Sequence, residues 1–125
     1  MKKLIFTSLI VSLLTLNSCN GQEKKSYSNI NLTTLKEDVI GKDVQFVDVR
    51  TADEYQNGHI DDADNIDYYN SENFKIEIEK YNKKEPIYIY CKSGGRSKSA
   101  SKLLDKMGFT TIFNYSGGWN EWSKQ

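Results

Sequence analysis

Two short apolar segments constrain the fold of this chain most. Residues 44–49 (VQFVDV) and residues 86–90 (PIYIY) are rich in β-branched and aromatic side chains, which favour β-strands. Residues 110–115 (TTIFNY) form a third candidate strand, and shorter extended pieces are predicted at residues 27–30 and 65–66. Nearly continuous apolar runs are typical of strands that are covered on both faces, so we expect a parallel sheet.

Helical patterns lie between these strands. Apolar residues recur at helical spacing in residues 32–39, 74–81 and 100–107, and a short helix is predicted at residues 51–57 with Thr51 as its N-cap. Strands that alternate with helices predict an α/β fold with a mostly parallel sheet and right-handed crossovers. In such sheets, binding sites lie at the carboxyl ends of the strands.

The N-terminal segment MKKLIFTSLIVSLLTLNSC has the layout of a secretory signal peptide, residues 1–18, and is too short for a comfortable membrane span. A buried N-terminal helix is the alternative interpretation. The sequence LNSC at residues 16–19 resembles a bacterial lipobox, which implies cleavage before Cys19 and lipid attachment to its sulfur. Residues 19–29 are polar and predict a tether, and the folded domain is expected at residues 30–125. The expected location is the bacterial cell envelope, with the domain lipid-anchored and facing the periplasm or the exterior.

Charge and cysteine content narrow the classes of function. The chain has 17 basic and 17 acidic residues, so removal of Lys2 and Lys3 leaves 15 basic residues and a formal charge of −2, which argues against nucleic acid as a partner. Once Cys19 is acylated, Cys91 is the only free thiol, and His59 is the only histidine. No Cys/His metal cluster is therefore predicted, and no metal or other cofactor is expected.

The loop CKSGGR, residues 91–96, follows a predicted strand and precedes a helix. Gly94 and Gly95 allow backbone φ angles above zero, so successive amides can point inward at an anion. The helix N-terminus and the guanidinium of Arg96 add positive charge at the same place. All three features favour a thiolate, which makes Cys91 a candidate nucleophile. The alternative is an inert cysteine that is buried at the end of a strand.

Four motifs, in order, resemble those of the rhodanese family, the thiosulfate sulfurtransferases and their single-domain relatives. The loop CKSGGRS at residues 91–97 is similar to the family's active-site loop. DVR at 48–50 resembles its first motif, EYQNGHIDDADNI at 54–66 its second, and YSGGWNEW at 115–122 its closing motif. The fold implied by this resemblance is a small open sheet of about five strands with helices on both faces.

The resemblance also implies a double-displacement reaction. Cys91 would take the outer sulfur of a small anionic donor such as thiosulfate, form a persulfide, and pass the sulfur to cyanide, a thiol or a protein. The predicted donor-binding residues are those of the loop: Lys92, Ser93, Gly94, Gly95, Arg96 and Ser97. Arg96 would either hold the donor's sulfonate or orient the loop. Asp48 and Arg50 are expected to support the structure, with Arg50 paired to Glu54 one helical turn away. We expect a monomer.

Two other functions remain open from the sequence. A phosphatase or arsenate reductase also uses a Cys and Arg loop at a helix N-terminus, but with five residues between the two, whereas this chain has four, Lys92 to Gly95. A non-catalytic binding module, or a domain that carries or senses persulfide, is the alternative from another class. His59, Tyr115, Trp119 and Trp122 are interpreted as structural, and the acidic residues 61–64 as a solvated loop.

Overall fold

The computed structural model describes residues 24–125, so the predicted signal peptide and Cys19 lie outside the described residues. Ten elements alternate along the chain. The strands are β1 (Tyr27–Ile30), β2 (Gln45–Asp48), β3 (Asp64–Asn65), β4 (Ile87–Tyr90) and β5 (Ile112–Tyr115). The helices are α1 (Leu32–Asp38), α2 (Ala52–Gln56), α3 (Ser71–Ile78), α4 (Gly95–Lys106) and α5 (Gly118–Trp122). Within residues 24–125, every helix is too short or too polar to cross a membrane.

The five strands form one parallel sheet in the order β1-β5-β4-β2-β3. The predicted α/β fold with a parallel sheet is therefore confirmed. Asp48, Tyr90 and Tyr115 lie side by side at the carboxyl ends of the three central strands, because β2 pairs with β4 and β4 with β5 in matching register. The loops that leave these three ends meet at one edge of the sheet, where a site is expected.

Helices cover both faces of the sheet, as the side-chain alternation of the strands requires. On β4, Ile87 and Ile89 face a core with α3 and α4 that includes Phe74 and Leu104. The alternate residues Tyr88 and Tyr90 face the second core, which contains Leu35 and Val39 from the α1 segment and the partly buried tryptophans of α5. A strand that contacts an apolar core on each face of the sheet has apolar residues at nearly every position, which explains the apolar runs in the sequence.

One predicted boundary differs from the structure, and one helix was not predicted. Residues 27–30 form β1, as the predicted extended piece requires, so residues 27–29 belong to the sheet and not to the tether, with Tyr27 opposite Ile112 on β5. These polar residues form a strand because they continue a sheet edge, where one face need not be apolar. The helix α5 was not predicted, because two glycines and only five residues give little helical periodicity.

Candidate active site

Cys91 follows β4 directly and is 1% exposed. Its sulfur accepts hydrogen bonds from the Gly94 amide at 3.1 Å and from the Ser97 hydroxyl at 3.3 Å, and this hydroxyl also lies 3.2 Å from the Gly94 carbonyl oxygen as a second acceptor. Burial acts to raise the pKa of the thiol, but hydrogen bonds from the Ser97 hydroxyl and from the amides of Ser97, Gly94 and Ser93 outweigh it, so the pKa lies below its ordinary value. Of the amides predicted to point inward, that of Gly94 hydrogen-bonds the sulfur, and those of Ser93 and Ser97 also lower its pKa.

The turn of the loop depends on one glycine rather than two. Gly94 has a φ of 97°, in the left-handed region that glycine tolerates without strain. A Cβ at this position would lie 2.8 Å from the carbonyl oxygen of Ser116. Gly95, by contrast, begins α4 and has no positive φ, so its predicted conformation is wrong. Gly94 therefore both reverses the chain and allows the loop to approach the segment after β5.

The short helix α5 supports the loop through main-chain contacts. The Trp119 amide donates to the Cys91 carbonyl oxygen at 2.9 Å, and the Asn120 amide donates to the Lys92 carbonyl oxygen at 3.0 Å. Gly118 has a φ of 60°, and a Cβ there would lie 2.5 Å and 2.6 Å from the same two oxygens. The loop carbonyls are thus turned toward α5, which leaves the amides on the sulfur side. Sequence reasoning treated this closing motif as packing and missed its backbone function.

Arg96 lies in the first turn of α4 but does not hydrogen-bond the sulfur. Its guanidinium donates to both carboxylate oxygens of Glu54, at 2.7 Å and 2.9 Å. It also lies over the ring of Tyr69, 5.0 Å from the centroid. The bond from Arg96 is the main reason that the pKa of Glu54 falls to about 2. The predicted pair between Arg50 and Glu54 is therefore wrong, because Arg50 is paired with Asp48 and the Glu54 carboxylate accepts from Arg96 and from the Thr51 hydroxyl.

Asp48 and Arg50 form a buried pair beneath the site. Arg50 donates two bonds through Nε and Nη2 to the Asp48 carboxylate, the shortest at 2.7 Å, and a third to the Gly58 carbonyl oxygen. The Tyr90 hydroxyl donates to Asp48 at 2.6 Å and accepts from the Ile60 amide at 2.9 Å. Burial and the bond to Asp48 raise the pKa of Tyr90. These contacts join the ends of β2 and β4 to the 58–60 turn.

A small pocket of about 200 Å³ opens beside the loop. Its lining consists of Arg50, Glu54, Asn57, Lys92 and Trp119. Of the predicted donor-binding residues, Lys92 lies on this pocket, and Lys92 and Ser93 are both exposed. The pocket can therefore admit a small anion next to Lys92, although the carboxylate of Glu54 occupies part of its wall.

The remaining polar residues that the sequence singled out have local partners. His59 stacks on Tyr55 with ring centroids 3.9 Å apart, and its Nδ1 lies 3.2 Å from the Tyr55 carbonyl oxygen. Asp61 accepts from the Gly41 amide at 2.9 Å, and Asp64 accepts from a tyrosine hydroxyl. Across residues 24–125, no group of three or more metal-ligating side chains is present.

Comparison with known proteins places this geometry in context. A family model described as a rhodanese-like domain matches residues 31–125. Thiosulfate sulfurtransferase GlpE of Shewanella oneidensis is 31% identical over 97 residues, which cover 78% of this chain and 93% of that protein. A putative mitochondrial thiosulfate sulfurtransferase of Schizosaccharomyces pombe is 36% identical over 92 residues, and the match spans 66% of this chain and 65% of that protein. The crystal structure of a rhodanese-like domain protein from Staphylococcus aureus has a TM-score of 0.66 at 32% identity and covers 76% of this chain and 90% of that one.

Proposed function

This chain belongs to the rhodanese-like domain family, and we propose that it is a sulfurtransferase that carries a sulfane sulfur on Cys91. The main support is the environment of the Cys91 sulfur, which receives an amide and a hydroxyl hydrogen bond and has a lowered pKa. These donors favour a sulfur anion on this residue, whether it is a thiolate or a persulfide. The two relatives described above are both named as thiosulfate sulfurtransferases, one of them putative, which is the class of activity proposed here.

In the first half-reaction, the Cys91 thiolate attacks the outer sulfur of a donor such as thiosulfate. A new S–S bond forms to Cys91, the S–S bond of the donor breaks, and sulfite leaves with the bonding electron pair. The donors around Cys91 are already oriented before the reaction, so they stabilise the persulfide anion without reorganising. Lys92 beside the small pocket supplies a cation for the sulfonate oxygens.

In the second half-reaction, a nucleophilic acceptor attacks the terminal sulfur of the persulfide. With cyanide, the products are thiocyanate and the regenerated Cys91 thiolate. With a thiol, the acceptor loses its proton to solvent and becomes a persulfide. Neither step needs an external oxidant or reductant, because each breaks one bond to the transferred sulfur and forms another. The new bond is S–S with a thiol and S–C with cyanide.

Of the two roles expected for Arg96, we propose the second, orienting the loop. Its charge is neutralised by Glu54, and its side chain is only 14% exposed. We therefore assign it to holding the loop against α2, while main-chain amides and Ser97 stabilise the sulfur. This arrangement also argues against phosphatase or arsenate reductase chemistry, in which an arginine must be available to the oxyanion.

The test is thiocyanate formation from thiosulfate and cyanide by the wild-type chain and by Cys91→Ser. We expect turnover by the wild type and none by the variant, with a persulfide on Cys91 detected by mass spectrometry after thiosulfate alone. Equal rates for the two proteins would remove Cys91 from the mechanism. A stable persulfide without turnover would instead indicate a domain that carries or senses persulfide, and faster hydrolysis of an aryl phosphate would indicate a phosphatase.

We also propose that the domain is held at the bacterial envelope by acyl chains on Cys19. The support is the LNSC sequence at residues 16–19 and the apolar stretch before it. Each buried methylene adds about 0.8 kcal/mol of membrane affinity, so several acyl chains would anchor the domain stably. The chain enters the sheet at Tyr27, so the tether between the anchor and the domain is short.

A further inference from the structure

A second, larger cavity lies between α3 and α4, away from the small pocket beside Lys92. It has a volume of about 550 Å³, within the range of ligand-binding pockets. The part of its lining that carries the argument consists of three apolar or aromatic side chains, Tyr68, Phe74 and Leu103, and three lysines, Lys75, Lys102 and Lys106. We call this cavity the lysine groove.

The lysine groove combines an apolar floor with the positive charge of three lysines, two of which, Lys102 and Lys106, also line a neighbouring pocket with Asp105. No carboxylate is among its described lining residues. Lys75, Lys102 and Lys106 are exposed, and none of them forms an ion pair with another residue of the 24–125 segment. Three cations of one sign beside an apolar surface attract an anion that also carries an apolar group. The groove is thus complementary to a molecule with carboxylates and an aliphatic side chain.

One end of the lysine groove reaches the sulfur-carrying loop. Tyr69, which lines the groove and is 69% exposed, lies against the guanidinium of Arg96. Along α4, Ser97 contacts the Cys91 sulfur, and Lys102 and Lys106 follow on the same helix. At 1.5 Å per residue, these two lysines lie about 7.5 Å and 13.5 Å beyond Ser97 along the helix axis. An extended peptide covers this axial distance in roughly two to four residues. The exposed lysines lie on a different side of α4 from the buried Ser97, so two to four residues is the minimum separation.

From this arrangement we propose that the lysine groove binds an acidic peptide segment of a protein acceptor, whose cysteine lies at least two to four residues from its carboxylates. This inference rests on the proposed sulfurtransferase function. The leucine-like side chain of the segment packs on the half-buried Tyr68 and Leu103, and its carboxylates contact the lysines. The acceptor thiolate attacks the terminal sulfur of the Cys91 persulfide, the S–S bond breaks, the Cys91 thiolate leaves, and the acceptor cysteine becomes the persulfide.

Two synthetic pentapeptides test this assignment. Both have an N-terminal cysteine and a central leucine, and one ends in two glutamates while the other ends in two glutamines. With thiosulfate as donor, we expect the wild-type kcat/KM to be about tenfold higher for the acidic peptide, the effect of two partly exposed charge contacts. The ratio should fall toward one in Lys102→Gln/Lys106→Gln and at high salt. The control variant Lys36→Gln/Lys42→Gln changes two exposed lysines on the face of the sheet that α1 covers. Its ratio of kcat/KM values for the two peptides should equal that of the wild type.

A binding measurement separates this inference from the proposed function. Peptides with serine in place of cysteine are titrated into the Cys91→Ser protein, and amide NMR shifts are followed at Tyr68 and Leu103. Tighter binding of the acidic peptide, lost in the Lys102 and Lys106 variant, supports the groove even where no sulfur is transferred. A kcat/KM ratio near one in an active wild type, or equal binding of the two serine peptides, would overturn it.

Discussion

The Trp119 amide donates a hydrogen bond to the Cys91 carbonyl oxygen at 2.9 Å, across a gap of 28 residues in sequence. This contact fixes the peptide plane that follows Cys91 and directs its carbonyl away from the sulfur. The same segment brings Gly118 so close to the loop that a side chain there has no room. The α5 backbone therefore decides which face of the loop carries its N–H groups, and the sulfur lies on that face.

We expect Gly118→Ala to lower both stability and sulfur transfer. Its Cβ would lie 2.5 Å from the Cys91 carbonyl oxygen, a distance that requires the loop backbone to shift. Gly108→Ala is the matched control, because Gly108 also has a positive φ but has no atom near its added Cβ. Both variants carry backbone strain of about 1–3 kcal/mol.

Urea unfolding and thiocyanate formation distinguish the two effects of this substitution. The loss of stability should be larger for Gly118→Ala than for Gly108→Ala, and only Gly118→Ala should lower the turnover of folded protein. Similar turnover in both variants would contradict the supporting function of α5.

We expect Ser97→Ala to raise the pKa of Cys91, because the hydroxyl that donates to the sulfur is lost. Near neutral pH the rate of persulfide formation should fall roughly tenfold, as for one hydrogen bond to a charged group. The pKa of the wild-type thiol is lowered, so the wild-type rate extends to lower pH, and the variant rate should recover as pH rises. The pH–rate profile of persulfide formation measures this shift.

Ser101→Ala serves as its control. The Ser101 hydroxyl is also buried but donates to the Ser97 carbonyl oxygen at 2.8 Å, without contact to the sulfur. This variant should lose some stability and keep the wild-type pH profile. Equal shifts in the two profiles would show that the Ser97 hydroxyl does not stabilise the thiolate.

Glu54→Gln should destabilise the protein near neutral pH by about 1 kcal/mol, because the bidentate pair with Arg96 is lost. Glutamine keeps the capping position of α2. The folded pKa of Glu54 lies below its ordinary value of 4.5, at about 2. The stabilisation is therefore complete above pH 4.5 and is lost as pH falls toward 2.

Urea unfolding of both proteins over this pH range provides the measurement. The difference between wild type and Glu54→Gln should shrink as the solution is acidified. Glu77→Gln, which removes an exposed pair with Lys80, should have a small effect at every pH. A difference for Glu54→Gln that stays constant down to pH 2 would contradict the assignment of its charge to Arg96.

Asp48→Asn should cost roughly 3–5 kcal/mol of folding free energy, because it leaves the buried guanidinium of Arg50 without its counter-charge. Tyr90→Phe removes one hydrogen bond to the same carboxylate and should cost less. Urea unfolding ranks the two variants. Wild-type stability in Asp48→Asn, with loss of sulfur transfer, would assign Asp48 to the chemistry instead.

Cys19→Ala should release the protein from the membrane fraction of a bacterial host, because the proposed acylation site is removed. Mass spectrometry of the wild-type protein should find acyl chains on Cys19. Cys91→Ala is the control and should remain membrane-bound. Membrane association of Cys19→Ala equal to that of the wild type would contradict the lipid anchor.

Local patterns determined much of this protein. The five strands were predictable to within about two residues, because apolar β-branched runs form strands wherever two cores are available. The N-cap of α2 was predictable, since the Thr51 hydroxyl and the Glu54 carboxylate form a capping box within one turn. The position of Cys91 between β4 and α4 followed from the same patterns, and the turn that brings a loop amide to its sulfur followed from Gly94 but not from Gly95.

Only the tertiary structure decided which side chains meet. The sequence suggested a partner for Glu54 four residues away, whereas the fold placed it against Arg96, 42 residues on, because β2 and β4 are neighbours and the loops after them share one edge. The tertiary structure also brings the Trp119 amide into a hydrogen bond with the Cys91 carbonyl oxygen, a backbone contact that no side-chain pattern encodes. Hydrophobic periodicity predicts helices and strands because it reflects contacts within one segment. The pairing of distant side chains depends on the order of strands in the sheet, and that order is determined by several segments together.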